Sequence, residues 1–429
     1  MRKTENRKSI TLENGTRIIL EKNESIRSCL LGIFVLSGSR FEEPETAGIS
    51  HFMEHMLFKG TPTRSARRIA EEMDEIGGVL NAYTTAQYTC FYAKTLREYA
   101  SRAFDVICDM VCNPRLDPED IETEKGVVKE EIAGSEDSPE ELCSTVLYRN
   151  VFPDHMLGSS ILGTRETVES FNREMLLAHR RRFYVPGRTV ISVCGNFDEE
   201  AILAMCRQYF SRAAAAGEPI SFLNPVYHRS ISAVKKEAEQ NQLILCFPGI
   251  PYESKQYFAL DLMETILGTA DSSMLFQRIR EELGLVYNVG CANECFVGSG
   301  LFTVYMSLSS KTEKQAIREA VQIMAGFCRT VTEKDLSRAK ARNISETIMS
   351  MESVYTRACH NGRSELLINR IESEAETERL IRGVTLADVK AVAKQVFDFD
   401  KLSLSAVGKT HSAEWYKKQI RECREEFGI

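Results

Sequence analysis

The sequence has few of the features that mark exported, membrane-spanning or nucleic-acid-binding chains. Its longest apolar stretch, Cys29 to Leu36, is far shorter than the roughly 20 residues that span a bilayer. The basic N-terminus is not followed by the apolar core of a signal peptide. With 54 Lys and Arg against 61 Asp and Glu, the net charge is −7, and no basic block stands out. We therefore predict no export and no nucleic-acid or membrane partner.

The 13 cysteines also lack the patterns of disulfide-bonded or thiolate-metal proteins. Their number is odd, they are scattered from Cys29 to Cys423, and no C-x-x-C occurs. A disulfide framework and a thiolate zinc site are therefore disfavoured. None of the cysteines lies in a recognisable nucleophile setting, which argues against a thiol or redox enzyme. The pattern predicts reduced cysteines in a cytoplasmic protein.

Strand and helix signals alternate along the whole chain, which predicts a mixed α+β protein. Ser28–Ser37 is apolar and ends before a glycine, and Leu80–Ala93 is rich in Thr, Tyr and Phe, so both stretches are predicted to be strands. Ala47–Phe58 and Pro118–Ala133 have the apolar periodicity of helices.

The chain shows signs of two related halves. Ala213–Pro219 has the composition of a linker and lies near the midpoint. Asp117–Ile121 opens a charged helix in the first half, and Thr332–Leu336 does the same 332 − 117 = 215 residues later. Two unrelated helices with ordinary caps would give the same pattern. We predict two domains, a catalytic one at residues 1–215 and a homologous one at residues 220–429.

The sharpest chemical signal is the sequence His51-Phe-Met-Glu54-His55. At about 100° per residue, His51, Glu54, His55 and Phe58 fall on one side of a helix. The other side is apolar and carries Ile49, Phe52, Met53, Met56 and Leu57. Two histidines four residues apart can bind one Zn²⁺ from a single helix, because successive turns stack their side chains. The alternative is a solvated face that carries two histidines by chance.

A catalytic zinc needs a third protein ligand, and a second predicted helix offers candidates. Glu124 and Glu131 are seven residues apart, so they share one face of that helix. Val127 and Val128 flank this face and could hold it against the core. Taken alone, such a run of glutamates is also typical of a solvated surface.

Together these residues resemble the inverzincin metallopeptidases of the pitrilysin, insulin-degrading enzyme and mitochondrial processing peptidase family. The resemblance implies that His51, His55 and Glu131 bind Zn²⁺ and that Glu54 is the general base. It also implies that Glu124 lies next to the metal ligands and orients a ligand histidine, as acidic partners of metal-bound imidazoles commonly do.

Further matches extend the resemblance along the chain. The strand containing Asn81 and Ala82 looks like the family's edge strand where the substrate backbone docks, and Phe58 is assigned to the substrate side with it. The Glu-Leu-Gly-Leu-Val stretch between Arg280 and Tyr287 is similar to the family's Arg-x6-Tyr element. The resemblance implies that Arg280 and Tyr287 contact the scissile peptide or its transition state.

The resemblance also implies an architecture and a function. We expect two homologous α+β halves, each a mainly antiparallel sheet packed with helices, enclosing a peptide-binding chamber. The activity would be zinc-dependent cleavage of peptides or small unfolded polypeptides. A homodimer is expected, and a heterodimer with a homologous subunit is the alternative. Because some family members are inactive partners, a non-catalytic subunit of a processing peptidase is the competing function.

Overall fold

The computed structural model describes residues 2–4, 7–211, 220 and 222–429. The predicted linker Ala213–Pro219 lies outside the described residues. The strands are, in chain order, β1 (Arg2–Thr4), β2 (Arg7–Thr11), β3 (Arg17–Lys22), β4 (Ser28–Val35), β5 (Val79–Thr84), β6 (Thr89–Leu96), β7 (Thr189–Gly195), β8 (Ile231–Lys235), β9 (Asn241–Pro248), β10 (Val286–Phe296), β11 (Ser299–Leu308) and β12 (Ser403–Gly408).

Helices make up most of the remaining described chain. They are α1 (Ile49–Leu57), α2 (Ala66–Asp74), α3 (Ala100–Cys112), α4 (Pro118–Asp137), α5 (Pro139–Val151), α6 (Arg165–Ser170), α7 (Arg173–Phe183), α8 (Glu199–Phe210), α9 (Tyr257–Glu264), α10 (Glu313–Thr330), α11 (Glu333–Ser350), α12 (Val354–Ile368), α13 (Glu374–Gly383), α14 (Leu386–Val396) and α15 (Ala413–Phe427). Two π-helical segments, Thr265–Thr269 and Phe276–Glu282, follow α9.

The described chain forms two compact units. Unit 1 comprises the described parts of Met1–Ala133, Ser159–Ser221 and Met349–Ile371. Its sheet has the strand order β1-β2-β3-β7-β4-β6-β5. Only β3 and β7 pair in parallel, and the other neighbours are antiparallel.

Unit 2 comprises the described parts of Gly134–Gly158, Phe222–Ile348 and Glu372–Ile429. Its sheet has the order β10-β11-β9-β12-β8, in which only β12 and β8 are parallel. This arrangement repeats strands β5-β6-β4-β7-β3 of unit 1, with helices between corresponding strands. The prediction of two homologous α+β halves with mainly antiparallel sheets is confirmed.

The compact units do not follow the halves of the sequence, because each includes one helix from the opposite half. Helix α5 packs on β9 and β12 within unit 2. Helix α12 packs on β4 and β7 within unit 1, where Val354 and Ala358 cover the buried Leu30 and Cys194. The division at residues 1–215 and 220–429 therefore describes related sequence halves, and as a statement of domain boundaries it stays a prediction.

The predicted elements near the site lie where expected, with one exception. The strand predicted at Ser28–Ser37 is β4, and the two predicted helices are α1 and α4. The single strand predicted at Leu80–Ala93 is wrong, because the chain turns at Thr85–Tyr88 and forms the antiparallel hairpin β5–β6.

The apolar face of α1 is buried against the sheet of unit 1, as its periodicity predicts. Phe52, Met53 and Met56 are fully buried and share one core with Ile33 and Val35 of β4. All 13 cysteines are free thiols. Among the described residues, we find no helix with the length and apolarity needed to cross a membrane.

Candidate metal centre

Helix α1 is anchored at its N-terminus by a carboxylate from the preceding loop. Buried Glu42 accepts hydrogen bonds from the backbone N–H groups of Gly48 and Ser50, each at 2.7 Å. These are donors that a helix leaves without intrahelical partners. Gly48 has a φ of +91°, and a Cβ there would lie 2.6 Å from the carbonyl oxygen of Leu162. The start of the helix is therefore fixed by a glycine and a buried acid.

Helix α4 supplies two carboxylates on the same side. Val128, Ile121 and Ile132 are buried and hold α4 against the core of unit 1. The expectation that Val127 shares this role is wrong, because its side chain is 44% exposed. These three aliphatic side chains are one or two turns apart and fix which face of α4 is buried. As a result, Glu124 and Glu131 both face α1.

Three potential ligand atoms converge between the two helices. Oε2 of Glu131 lies 3.7 Å from Nε2 of His51 and 3.6 Å from Nε2 of His55. The three residues each offer one such atom within 4.8 Å of the others, and among the described residues they form the only such group of histidine, cysteine or acidic side chains. The two imidazole rings lie 4.5 Å apart, centroid to centroid.

This donor set fits a zinc ion. The distances of 3.6 and 3.7 Å are too long for hydrogen bonds between the carboxylate and the imidazoles. They are close to the roughly 3.4 Å that separates two ligand atoms bound at about 2.1 Å to one tetrahedral ion. Two imidazoles and one carboxylate are also the ligand type of catalytic zinc sites, which leave a further position open.

A second carboxylate sets the tautomer of His55. Nδ1 of His55 lies 2.7 Å from Oε1 of Glu124, so Nδ1–H donates to Glu124 and Nε2 keeps its lone pair toward Glu131. The ammonium of Lys59 contacts the other oxygen of Glu124. Burial raises the pKa of Glu124, but the hydrogen bonds from His55 and Lys59 outweigh it and hold this pKa below its usual value.

The two imidazoles differ in their electrostatic surroundings. Burial, together with the charge of His55, lowers the pKa of His51 to about 4, so His51 is neutral at physiological pH. Burial also lowers the pKa of His55, but the hydrogen bond to Glu124 and the charge of Glu131 raise it overall. His51 Nδ1 is buried without a hydrogen-bond partner.

Glu54 lies on the same helix between the histidines but outside the convergent group. Burial raises the pKa of its carboxyl above the usual value, partly opposed by a hydrogen bond from Thr84. That bond is 2.5 Å long, from Thr84 Oγ1 to Glu54 Oε2. A carboxyl with a raised pKa beside a metal centre is suited to proton transfer near neutral pH.

The residues predicted to bind substrate lie on or near β5. This strand is at the end of the sheet of unit 1 and pairs on one side, with β6. Asn81 is exposed and Ala82 half-buried, and α1 packs against the same strand. Phe58 follows α1 directly, but its half-buried ring packs against the core of unit 1.

Arg280 and Tyr287 lie in unit 2 and are both exposed. Arg280 belongs to the π-helical segment Phe276–Glu282, with its guanidinium 4.8 Å from the centre of the Phe276 ring. Tyr287 is the second residue of β10, and 70% of its surface is accessible. Their predicted contact with substrate stays a prediction.

Three residues with evident roles at the centre carried no assignment from the sequence. They are Glu42, which caps α1, Lys59, which contacts Glu124, and Thr84, which binds Glu54. Lys59 stands four residues after His55 on the same helical side, so helical spacing could have found it. The other two act through tertiary contacts that spacing does not show.

Two family models match the chain. The model described as "Insulinase (Peptidase family M16)" matches residues 17–165, and that described as "Peptidase M16 inactive domain" matches residues 170–343. An "Uncharacterized zinc protease YmxG" of Bacillus subtilis is 38% identical over 394 residues, which cover 92% of this chain and 96% of the relative. The chain belongs to the insulinase family, peptidase family M16. The first model contains all the metal-centre residues described above.

Other relatives agree with this assignment. An uncharacterized zinc protease of Rickettsia felis is 35% identical over 387 residues, covering 90% of this chain and 94% of the relative. Among solved structures, a protease from Helicobacter pylori has a TM-score of 0.85 at 18% identity and covers 94% of this chain and 99% of its own. A Pseudomonas fluorescens structure described as a peptidase M16 inactive domain has a TM-score of 0.88 at 18% identity, covering 95% and 99%. These structures support the fold of an M16 family member.

Proposed function

We propose that this M16 family member is a zinc metalloendopeptidase that cleaves extended peptides. The observation that carries the proposal is the convergence of His51, His55 and Glu131 beside Glu54, a carboxyl that is not needed as a ligand. Zinc, when bound, lowers the pKa of a bound water and polarises a carbonyl group. The names of the curated relatives as zinc proteases agree with this choice of metal and reaction.

In this proposal Glu54 is the group that accepts and then donates the proton. Its carboxylate accepts a proton from the attacking water and delivers it to the departing amine nitrogen. The peptide C–N bond therefore breaks with a neutral amine as the leaving group, and no nitrogen anion has to form. His55 is held in one tautomer by Glu124, and Glu124 is in turn held by Lys59. These contacts keep the ligand nitrogen aimed at Glu131 through the reaction.

The substrate would bind as an added strand. The outer edge of β5 has no strand paired with it, and an extended peptide can pair there. The backbone N–H of Ala82 donates to Asn81 Oδ1 at 2.8 Å, a bond that the peptide would replace. Ala82 would provide this pairing with its backbone, Asn81 would contact the peptide with its side chain, and Phe58 would contribute apolar contact. Arg280 and Tyr287 would donate to the carbonyl oxygen as negative charge develops on it.

The test compares wild type with Glu54→Gln. Purified protein is loaded with zinc, its metal content is measured, and cleavage of a mixed peptide library is followed by mass spectrometry with and without a chelator. We expect chelator-sensitive cleavage by wild type. For Glu54→Gln we expect a cleavage rate about 10²–10⁴-fold lower, with the zinc content unchanged. Full activity of Glu54→Gln would refute the mechanism.

The same experiment addresses the substrate and the competing function. Cleavage at one dominant motif would indicate processing, and scattered cleavage would indicate degradation. A zinc-loaded wild type that cleaves nothing would refute the enzyme and favour the non-catalytic subunit. The expected homodimer, a heterodimer with a homologous subunit, and the cytoplasmic location remain predictions, and light scattering of the purified chain tests the first.

A further inference from the structure

Thr84 makes a specific contact with the proposed general base. It is the last residue of β5, and its hydroxyl lies 2.5 Å from Oε2 of Glu54. Within the part of the chain that the structure describes, this is the only side-chain hydrogen bond to the Glu54 carboxylate. An ionised carboxylate only accepts hydrogen bonds, so Thr84 is the donor.

The neighbouring hydroxyl leaves Thr84 free for this role. Thr89, opposite Thr84 in the hairpin, has its Oγ1 3.3 Å from that of Thr84 and 2.9 Å from the carbonyl oxygen of Ser37. That carbonyl oxygen can only accept, so the single hydroxyl hydrogen of Thr89 points to Ser37. The hydrogen of Thr84 then points to Glu54, and the arrangement fixes the direction of both bonds.

One consequence is that the two oxygens of Glu54 are no longer equivalent. The terminal torsion of a glutamate is broad and roughly two-fold, so a carboxylate without partners exchanges its oxygens freely. With Oε2 bound to Thr84, Oε1 keeps its lone pairs available and can take a proton from water. The carboxylate is oriented before the substrate arrives, which removes a reorganisation step from the reaction.

A second consequence links the base to the proposed substrate strand. Thr84 is three residues from Asn81 on β5, the strand whose free edge would pair with the peptide. Pairing adds hydrogen bonds along this strand and so restrains the residue that holds Glu54. We propose that Thr84 is a positioning residue that orients Glu54 and couples its orientation to substrate pairing on β5. This inference rests on the proposed function and deepens it.

A purely structural role for Thr84 predicts a different result. The turn after β5 is held by Thr85, whose hydroxyl donates to the carbonyl of Tyr88 at 2.8 Å and accepts from the N–H of Tyr88 at 3.0 Å. The hairpin therefore has its own support. Thr84→Val keeps the shape of the side chain and removes the hydroxyl, whereas Thr84→Ser keeps the hydroxyl.

The chain offers a matched control on the same hairpin. Thr95 of β6 is buried, and its hydroxyl has no hydrogen-bond partner. Thr95→Val therefore makes the same chemical change without removing a contact. If Thr84→Val does not fold, Thr84→Ala provides the same loss of the hydroxyl in a smaller side chain.

The experiment measures zinc content, KM and kcat for wild type and the variants with a peptide that wild type cleaves. For Thr84→Val we expect kcat to fall about 10–100-fold, with KM changed less than about twofold and zinc content unchanged. Thr84→Ser should recover kcat to within about threefold of wild type, and Thr95→Val should match wild type. An unchanged kcat for Thr84→Val, or a Thr84→Ser variant as slow as Thr84→Val, would overturn the inference.

A crystallographic comparison separates this inference from the proposed function. If wild type cleaves no peptide, the proposed function fails, yet the Glu54 side chain can still be compared in wild type, Thr84→Val and Thr84→Ser. We expect one carboxylate orientation in wild type and Thr84→Ser, and a rotated or split carboxylate in Thr84→Val. An unchanged carboxylate in Thr84→Val would overturn the positioning role even in an inactive protein.

Discussion

Helices α1 and α4 of unit 1 and helices α9 and α11 of unit 2 occupy corresponding places in homologous units, yet they are joined differently. In unit 1, three ligand atoms face one another without hydrogen bonds between them. In unit 2, the side chain of Asn343 donates to Asp261 at 2.6 Å and accepts from Thr265 at 2.9 Å. Direct hydrogen bonds join both helix pairs, through His55 and Glu124 in unit 1 and through Asn343 in unit 2. Among the described residues, only unit 1 adds a group of ligand-type atoms that do not bond one another.

The sequences of the two pairs show how the difference arises. Met53-Glu54 aligns with Met263-Glu264, an offset of 263 − 53 = 210 residues. Asp261 then replaces His51 and Thr265 replaces His55, so both imidazoles are lost. The fold can thus join this helix pair with ordinary hydrogen bonds. The open arrangement in unit 1 is not a requirement of the fold, which supports its interpretation as a binding site.

The largest expected effect is a difference in zinc binding between variants of the two helix pairs. His55→Ala removes one of the three proposed ligands, and we expect loss of stoichiometric zinc and of all measurable peptide cleavage. The corresponding change in unit 2, Thr265→Ala, should leave both unchanged. Metal content after dialysis and a peptide cleavage assay provide the measurements. Zinc retention by His55→Ala would contradict the assignment of the centre.

A smaller effect on zinc binding is expected for Glu124, the carboxylate that accepts a hydrogen bond from His55. Glu124→Gln can still accept a hydrogen bond from His55, but it loses the charge that Lys59 and His55 face. We expect zinc affinity to fall about 10–100-fold, measured by competition with a chromophoric chelator. Glu122→Gln, on the same helix but exposed and away from α1, is the control and should bind zinc like wild type.

Breaking the polar contact between the helices of unit 2 should affect stability and leave zinc binding intact. Asn343→Ala leaves the carboxylate of Asp261 without its amide donor, and we expect about 2 kcal/mol less free energy of opening for unit 2. Hydrogen exchange of the amides in β9 and β11 measures this value. The exposed Glu346→Gln on the same helix should change it little. A loss of zinc from Asn343→Ala would show that the two helix pairs are not independent.

The smallest effect concerns pH. Burial, with a contribution from Asp261, raises the pKa of Glu264 to about 7. An acid with a raised pKa in the folded state stabilises the fold fully below its unfolded value, about 4.5, and this stability is lost as pH rises through 7. We expect unit 2 to lose at most about 1.4 kcal/mol per pH unit in this window. Glu264→Gln should flatten the slope in the same exchange experiment, and an unchanged slope would assign it to another group.

Much of the metal centre could be predicted because it is encoded locally. The periodicity of α1 places His51, Glu54 and His55 opposite its apolar face, and seven-residue spacing places Glu124 and Glu131 together on α4. Helical geometry converts such spacings into positions. The pairing of the two helices came from the family resemblance, since no spacing brings residues 76 positions apart into contact (131 − 55 = 76).

The features that the sequence did not predict depend on contacts distant in sequence or on unmarked turns. Thr84 reaches Glu54 across 30 residues. The turn of the β5–β6 hairpin lacks glycine, proline and asparagine, and the hydroxyl of Thr85 stabilises it, so Leu80–Ala93 resembled one strand. The packing of α5 in unit 2 and of α12 in unit 1 cannot be predicted from the sequence of either half alone.

The packing of α12 has a consequence for synthesis of the protein. Helix α12, which covers Leu30 and Cys194, comes much later in the chain than the strands that it covers. A nascent chain that has emerged only through β7 has all the strands of this sheet, but the apolar face formed by Leu30 and Cys194 is still uncovered. This face is covered only after a further 354 − 195 = 159 positions have been synthesised, when α12 begins. A ribosome that stalls between these elements would release a fragment with an exposed apolar face, which chaperones or proteases could bind.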